Sequence, residues 1–237
     1  MSFPFFYIEE ISSSANSIFL NEETSKHIVQ VLRMKNGEHL NLTDGKGNLY
    51  SSVIINDNKK NCEVAINSKA KTSVSLGKKI IAISILKNAT RFEWFLEKVT
   101  EIGITEIIPL LCERTERAHF RYERMNGIII SAMLQSQQTW LPVLHQPTKY
   151  TDLLTRQFVD CNKFIAHCEE EKKQPLTNQL INQSTNQLIL IGPEGDFTKQ
   201  EIELALQNNF VPVTLGNTRL RSETAGVVGA TLLCNLT

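Results

Sequence analysis

The pattern of apolar and polar positions changes near residue 79, and the two patterns predict different architectures. Before that point, short apolar or alternating stretches are separated by turn residues, which is typical of β-strands in a small barrel. A helical pattern interrupts them over residues 24–33, with Ile28 and Leu32 on its inner face. Asp44-Gly45-Lys46-Gly47 lies between two of the predicted strands as a hairpin signal. The predicted strands are 5–8, 17–20, 38–43, 49–55 and 62–66.

From residue 79 onward, longer apolar strands alternate with helical patterns, and this alternation predicts a parallel sheet. The first helix of this part is predicted to end at Gly103, because glycine readily takes the left-handed conformation that closes a helix. Trp94, in the same helix, is expected in the core or in an interface. Residues 71–78 are polar and are predicted to be a linker. The fold class is therefore α/β, with a small β-barrel domain over 1–70 and an α/β domain over 79–237.

The stretch 188–225 contains the densest set of motifs. Its first four residues are apolar, which predicts a strand buried on both faces, and Gly192-Pro193-Glu194-Gly195 ends that strand. Thr198 and Glu201 then have the spacing of a capping box at the start of a helix.

A second strand is predicted over 211–215, and it ends at Gly216. An arginine-bearing loop follows, and then a last helix over 225–236, made of small and apolar residues. Together these elements predict a βαβ crossover. Open α/β sheets bind ligands at the carboxyl ends of such strands, so the functional site is expected there.

Composition limits the function classes without assigning one. The 237 residues include 25 Lys and Arg and 25 Asp and Glu, and this balance counts mildly against a nucleic-acid partner unless the basic residues cluster. No apolar run approaches the ~20 residues that span a bilayer, and the first residues lack a signal-peptide pattern, so no membrane partner and a cytoplasmic location are predicted. Five cysteines without a Cys-x-x-Cys pair predict neither a disulfide framework nor a zinc site.

Short motifs in the stretch 188–225 resemble those of the SPOUT-class methyltransferases. They are Gly192-Pro193-Glu194-Gly195-Asp196-Phe197, Leu215-Gly216 and Leu220-Arg221-Ser222-Glu223-Thr224-Ala225. Within that class they resemble the family that methylates N3 of a uridine in 16S ribosomal RNA, and the blocks 27–33 and 98–103 match the same family. The sequence departs from the family pattern at three positions. Asp196 stands where glycine is usual, and Thr218 and Gln138 stand where arginine is usual.

The resemblance implies a PUA-like RNA-binding barrel followed by a SPOUT-type α/β domain. In that fold the last helix is threaded through a loop to make a C-terminal trefoil knot. The resemblance also implies S-adenosyl-L-methionine as the cofactor, 16S ribosomal RNA in the small ribosomal subunit as the partner, and a homodimer. The site is expected to contain no metal.

The loops with these motifs supply the candidate site residues. Those expected to bind the cofactor are Leu190, Ile191, Gly192, Pro193, Glu194, Gly195, Leu215, Gly216, Leu220, Arg221, Thr224 and Ala225. A cation near O2 or O4 of the uridine would favour the anion formed when N3 loses its proton, and Arg221 is the first candidate and Arg219 the second. Glu194 or Glu223 could accept that proton. The alternative for Arg221 and Glu223 is a salt bridge that holds the loop to the last helix.

Basic residues in two segments are candidate RNA contacts. They are Lys26, His27, Arg33, Lys35, Arg114, Arg117 and Arg121. In the second segment arginines alternate with aromatic residues, which suits phosphates and bases, but Glu113, Glu116 and Glu123 neutralise part of the charge. A solvated surface is therefore the alternative. Two further functions stay open: a SPOUT enzyme acting on transfer RNA or a ribose 2′-hydroxyl, and an RNA-binding relative with an inactive α/β domain.

Overall fold

The structure, a computed structural model, describes residues 3–11, 16–73, 77–116, 118–169, 173–180 and 186–235. The chain divides into two compact units. The first unit is Met1–Val74 with Met133–Leu141, and the second is Ser75–Ala132 with Pro142–Thr237. Within the described ranges, none of the helices is both long enough and apolar enough to cross a bilayer.

Five strands form one sheet in the first unit, in the order β1-β3-β4-β5-β2. They are β1 (Phe5–Tyr7), β2 (Ser17–Phe19), β3 (His39–Thr43), β4 (Asn48–Asn56) and β5 (Glu63–Lys71). β1 runs parallel to β3, and the other neighbours are antiparallel. Phe6, Leu40, Leu42 and Ile54 are among the side chains of its buried core. The strands predicted from the short apolar stretches are confirmed, although β5 continues past residue 66 to Lys71.

The helix of the first unit changes type along its length and ends earlier than predicted. Asn21 caps α1 (Glu22–Lys26), and the chain continues as a π-helix over His27–Val31. Arg33 then takes a positive φ of 58°. Because a π-helix turns more widely than an α-helix, the expected spacing is lost and Leu32 is 43% exposed. Met34 is buried instead, so the predicted inward position of Leu32 was wrong.

The segment Met133–Leu141 packs against the hairpin between β3 and β4. Asp44 shapes that hairpin by accepting a hydrogen bond from the backbone nitrogen of Lys46 at 2.8 Å. Gly47 has a φ of 88°, and a Cβ atom there would collide with the Trp140 ring. Glycine is therefore required for this contact within the first unit.

The second unit contains a parallel sheet in the order β11-β13-β10-β12-β6-β7-β8, with β9 beside β7. Its strands are β6 (Lys79–Ser84), β7 (Glu106–Leu111), β8 (Val143–Leu144), β9 (Thr148–Lys149), β10 (Cys161–Ala166), β11 (Gln174–Pro175), β12 (Asn186–Ile191) and β13 (Val211–Thr214). The predicted parallel sheet is confirmed. β10 lies between β12 and β13, so the predicted crossover passes over one strand.

Helices alternate with the strands of this sheet along the chain. They are α2 (Ala89–Ile102), α3 (Tyr122–Gln135), α4 (Tyr150–Leu154), α5 (Lys199–Gln207) and α6 (Ser222–Asn235). The predicted stop of α2 at Gly103 is confirmed, with a φ of 99°, and so is the capping box formed by Thr198 and Glu201 on α5.

The last helix, α6, begins at Ser222 rather than at residue 225 as predicted. Glu223 and Thr224 therefore lie in its first turn and not in the preceding loop. α6 packs closely on α2, because a Cβ atom at Gly226 would collide with the Phe95 ring. This close packing brings the first turns of α2 and α6 beside each other.

Candidate active site

A cavity of about 480 Å³ lies at the carboxyl ends of three neighbouring strands, β13, β10 and β12. Residues at the ends of these strands, Thr214, Ala166 and Ile191, form part of its wall. The turn after β12 and the loop between β13 and α6 complete the lining. The cavity therefore occupies the position that parallel α/β sheets use for ligands, as the sequence predicted.

The turn after β12 is held by hydrogen bonds of Asp196. Its backbone nitrogen donates to the oxygen of Pro193 at 2.9 Å, and its φ is 64°. Its side chain accepts hydrogen bonds from the backbone nitrogens of Cys168 at 2.7 Å and Phe197 at 2.8 Å. Aspartate tolerates positive φ better than most residues because its short polar side chain bonds locally. The turn thus forms although glycine is usual at this position in the family.

Arg114 supports the same turn from outside the cavity. Its Nη1 atom donates to the backbone oxygen of Gly195 at 2.7 Å, and its side chain passes 3.4 Å from where a Gly195 Cβ atom would lie. The guanidinium is exposed, so an additional RNA contact by Arg114 stays a prediction. Its observed contact is with the turn.

Glu194 is an exposed residue of the turn, and it lines the cavity. Its Oε1 atom accepts a hydrogen bond from the backbone nitrogen of Lys87 at 3.0 Å. The Lys87 side chain pairs with Glu116 at 2.6 Å. Glu194 thus links the turn to the segment that leads from β6 into α2.

The two glycines at the strand ends have different surroundings. A Cβ atom at Gly192 would lie 3.1 Å from the nitrogen of buried Phe197, so a side chain there would press on the core. A Cβ atom at Gly216 would meet nothing within 4 Å, but Gly216 has a φ of 150°, which other residues rarely adopt. Gly216 therefore leaves open space on the cavity wall.

Cys168 and His167 follow β10 and line the cavity. Burial raises the pKa of the Cys168 thiol, and the negative charge of Asp196 raises it further. The thiol is thus neutral near pH 7, which argues against a nucleophilic role.

Three arginines line the cavity, Arg91 from the first turn of α2 and Arg219 and Arg221 from the loop before α6. Arg91 Nε lies 3.6 Å from Oε1 of Glu223, whose side chain is only 8% exposed. The ion pair of Glu223 is therefore with Arg91, and not with Arg221 as the alternative proposed. The Glu223 Oε2 atom is buried and has no hydrogen-bond partner among the described residues.

A shallower groove of about 690 Å³ adjoins the cavity. The two share Arg91, Arg219, Leu220 and Arg221. The groove, here called the Trp94 groove, is also lined by Asn88, Thr90, Trp94, Glu223 and Thr224. Trp94 is 43% exposed, so of the two expected placements the core is excluded, and an interface stays a prediction.

Most of the predicted cofactor residues lie on the cavity wall: Ile191, Gly192, Pro193, Glu194, Leu215, Gly216, Leu220, Arg221 and Ala225. Leu190 is in the hydrophobic core, Gly195 packs on Arg114, and Thr224 lines the Trp94 groove. Of the candidates for the reaction, Arg221, Arg219 and Glu194 line the cavity, and Glu223 lines the groove.

Sequence reasoning missed several lining residues: Arg91, His167, Cys168, Asp196, Thr214 and Thr218. Arg91 had a usable signal, because it occupies the first turn of a helix that follows a predicted sheet strand. His167 and Cys168 had the same signal at the end of β10. Such positions face the ligand edge of a parallel sheet.

The predicted RNA-binding residues of the first unit are exposed. Lys26 pairs with Glu22 at 2.8 Å, Lys35 lies 3.8 Å from Asp57, and His27 packs edge-on against Phe6. In the second unit Arg121 Nε lies 3.3 Å from His119 Nε2. Arg117 lies outside the described residues. Among those residues, no cluster of three or more His, Cys, Asp or Glu side chains could hold a metal ion.

A family model described as an RNA methyltransferase domain matches residues 73–234, and one described as an RNA methyltransferase PUA domain matches residues 20–67. Ribosomal RNA small subunit methyltransferase E of Rickettsia conorii is 27% identical over 93% of this chain and 91% of its own. A probable rRNA-methyltransferase from Porphyromonas gingivalis superimposes with a TM-score of 0.89 at 35% identity, covering 98% of each chain.

A further solved structure combines the same fold with a bound cofactor. Ribosomal RNA small subunit methyltransferase E from Neisseria gonorrhoeae, bound to S-adenosyl methionine, superimposes with a TM-score of 0.85. It is 29% identical, and the match covers 96% of this chain and 95% of that one. The expected combination of a PUA-like barrel and a methyltransferase α/β domain is confirmed. The chain belongs to the RNA methyltransferase family whose catalytic domain follows a PUA domain.

Proposed function

We propose that this protein transfers a methyl group from S-adenosyl-L-methionine to N3 of one uridine in 16S ribosomal RNA of the small ribosomal subunit. The observation that carries the proposal is the cavity at the carboxyl ends of β10, β12 and β13, in a chain similar over nearly its whole length to small-subunit methyltransferases. Such an activity would place the protein in the cytoplasm.

The cavity residues fit the cofactor. The volume of about 480 Å³ lies within the roughly 300–1,000 Å³ of small-molecule sites. Ile191, Leu215 and Leu220 would enclose the adenine ring, and the open space at Gly216 lets a ligand approach the backbone. The arginines offer partners for the carboxylate of the methionine part. When bound, S-adenosyl-L-methionine supplies an electrophilic methyl group on a sulfonium.

The protein's own part in the reaction is to position the uridine and to stabilise the anion formed at N3. A guanidinium near O2 or O4 stabilises that anion, with Arg221 as the first candidate and Arg219 as the second. Either Glu194 or Glu223 takes up the proton that leaves N3. Holding N3 in line with the methyl group supplies much of the acceleration.

The barrel and the arginine-rich segment after β7 would bind the RNA. The PUA match over residues 20–67 supports the barrel's part, with Lys26, His27, Arg33 and Lys35 as the candidate contacts. Arg114, Arg117 and Arg121 are the candidates in the arginine-rich segment. Because the net charge is zero, recognition of a preformed RNA shape should outweigh general attraction to phosphates.

The protein is also proposed to act as a homodimer. Phe92 is buried in the core, so it does not support an interface. The face of α6 turned away from Gly226 and Gly229 carries Val227 and Val228, which are only partly buried. A second copy packed on these valines would complete their burial. Light scattering should give twice the chain mass of 26.8 kDa, and a monomer mass at micromolar protein would contradict it.

The direct test uses purified protein, methyl-labelled cofactor and small subunits from a strain that lacks the gene. Nucleoside analysis should find the label in N3-methyluridine from 16S ribosomal RNA. Label on a ribose, on transfer RNA or nowhere would refute the proposal. The rival function, an RNA-binding protein with an inactive α/β domain, predicts no thermal shift with the cofactor, whereas an intact cavity predicts a stabilised fold.

A further inference from the structure

The Trp94 groove combines an exposed aromatic side chain with a buried carboxylate oxygen that has no hydrogen-bond partner among the described residues. Trp94 leaves 43% of its surface exposed beside the cavity, although large aromatic residues are usually buried. Glu223 is buried in the same groove, and its Oε2 atom has no hydrogen-bond partner among the described residues. An unpaired buried carboxylate oxygen costs folding free energy, so it points to a ligand donor that the groove receives.

Charged groups around Glu223 are arranged to complement a carboxylate. Arg91 Nε lies 3.6 Å from Oε1, so Oε1 is engaged and Oε2 is the oxygen left for a ligand. The remaining charged groups lining the groove are Arg219 and Arg221. Glu223 also lies in the first turn of α6, where the helix dipole favours negative charge.

The groove lies directly beside the cavity that is proposed to bind the cofactor. Arg91, Arg219, Leu220 and Arg221 line both, so a group seated in the groove meets the cofactor site across these residues. Glu194, the other candidate base, lies on the turn after β12 and does not line the groove, and its Oε1 already accepts from Lys87. Glu223 is therefore the better placed of the two carboxylates.

We infer that the Trp94 groove receives the target nucleobase, which stacks on Trp94 and presents its N3–H group to Oε2 of Glu223. This inference rests on the proposed function. In the transfer, the N3–H proton passes to Oε2 and the nitrogen electron pair forms the bond to the methyl carbon. The carbon–sulfur bond breaks, and its electrons stay on sulfur as a neutral thioether. Glu223 is the catalytic base, and Arg91 is a positioning residue that holds its other oxygen.

The first test is Glu223→Gln, which keeps the size of the side chain and removes its basicity. On small subunits from a strain without the gene, kcat should fall about 10²- to 10⁴-fold, the usual contribution of a general base. The dissociation constant of the cofactor, measured by calorimetry, should stay within twofold. Glu203→Gln, on the exposed face of α5, is the matched control and should keep the wild-type rate.

A second substrate separates a base from a structural residue. Small subunits from cells grown with 5-fluorouracil contain 5-fluorouridine, whose N3–H is more acidic and depends less on a base. The kcat ratio between wild type and Glu223→Gln should shrink at least tenfold on this substrate. A kcat of Glu223→Gln within twofold of wild type would overturn the role of Glu223 as the base. An equal loss of kcat on the normal and the 5-fluorouridine subunits would overturn it as well.

Trp94 gives an independent test, because an exposed side chain can be changed without unfolding the protein. Trp94→Ala should raise KM for the small subunit about 5- to 150-fold, the range expected for one stacked base, while Trp94→Phe keeps most of the affinity. An unchanged KM in Trp94→Ala would overturn the base site. Loss of the dimer mass of Trp94→Ala in light scattering would also overturn it, because the groove would then be a contact with a second copy. If the wild-type protein methylates no uridine at N3, the proposed function itself fails.

Discussion

The Nη1 atom of Arg114 donates a hydrogen bond to the backbone oxygen of Gly195 at 2.7 Å, across 81 residues of sequence. This contact joins the turn after β12 to the segment after β7 through the protein's own side chain. A turn that is held by such a contact loses less conformational freedom when it binds a ligand.

Arg114→Ala should weaken cofactor binding by about 1 kcal/mol, roughly fivefold in Kd, because the turn loses a charge-assisted hydrogen bond at an exposed position. Calorimetry with S-adenosyl-L-methionine measures this directly. Arg121→Ala is a suitable control, since its observed contact is with His119. Equal Kd values for both variants and wild type would show that Arg114 does not order the turn.

Gly216→Val should abolish cofactor binding, because its side chain would project from the cavity wall into open space and strain a φ of 150°. Gly192→Val should instead lower the melting temperature, because its Cβ atom would press on Phe197. Calorimetry and thermal melting of the two variants separate these effects. A Gly216→Val protein that binds the cofactor normally would exclude this wall from the site.

Asp196→Ala should destabilise the protein more than Asp196→Gly, by about 1 kcal/mol. Both substitutions remove the hydrogen bonds to Cys168 and Phe197. The positive φ at this position costs folding free energy for alanine, which has a Cβ atom, but not for glycine. Chemical denaturation gives the two free energies of unfolding. The reverse order would mean that the turn changes its backbone conformation in the variants.

Cys168 should react slowly with iodoacetamide at neutral pH, since burial and the charge of Asp196 raise the pKa of its thiol. A raised pKa leaves less thiolate at pH 7, so the rate should lie below that of a free cysteine and increase as the pH rises. Because Cys168 lines the cavity, S-adenosyl-L-methionine should slow the reaction further. Peptide mass spectrometry measures the alkylation of Cys168. An alkylation rate that the cofactor leaves unchanged would contradict the position of Cys168 in the cofactor site.

Arg221→Ala should lower kcat far more than cofactor affinity, because its charge is needed chiefly as the anion at N3 forms. Arg219→Ala should have the smaller effect. Steady-state rates with small subunits, together with calorimetry, separate the two quantities. Full activity in Arg221→Ala would leave methyl transfer intact as the function but remove Arg221 from the mechanism.

The sequence predicted the elements whose determinants are local. The buried β12, the stop at Gly103 and the capping box of Thr198 each depend on neighbouring residues, and each is confirmed. The helix over 24–33 was misjudged, because a π-helix changes the spacing that an α-helical pattern assumes. The trefoil knot depends on how the chain is threaded, and it stays a prediction.

The ion pair between Arg91 and Glu223 was missed because it comes from long-range packing. Arg91 and Glu223 are 132 positions apart, and they meet because Gly226 lets α6 approach α2 at Phe95. No local pattern at Trp94 distinguishes an exposed groove residue from a buried one. Motif spacing therefore found the cavity loops but not the groove beside them.

The central claim is that this chain methylates N3 of one uridine in 16S ribosomal RNA. The most direct measurement is mass spectrometry of 16S ribosomal RNA fragments from a strain lacking the gene, complemented with wild type or with Gly216→Val. The account predicts one uridine that carries an N3-methyl group with wild type, and none in the deletion strain or with Gly216→Val. An unchanged set of 16S methylations in the deletion strain, with a methyl group missing from transfer RNA or a ribose instead, would contradict it.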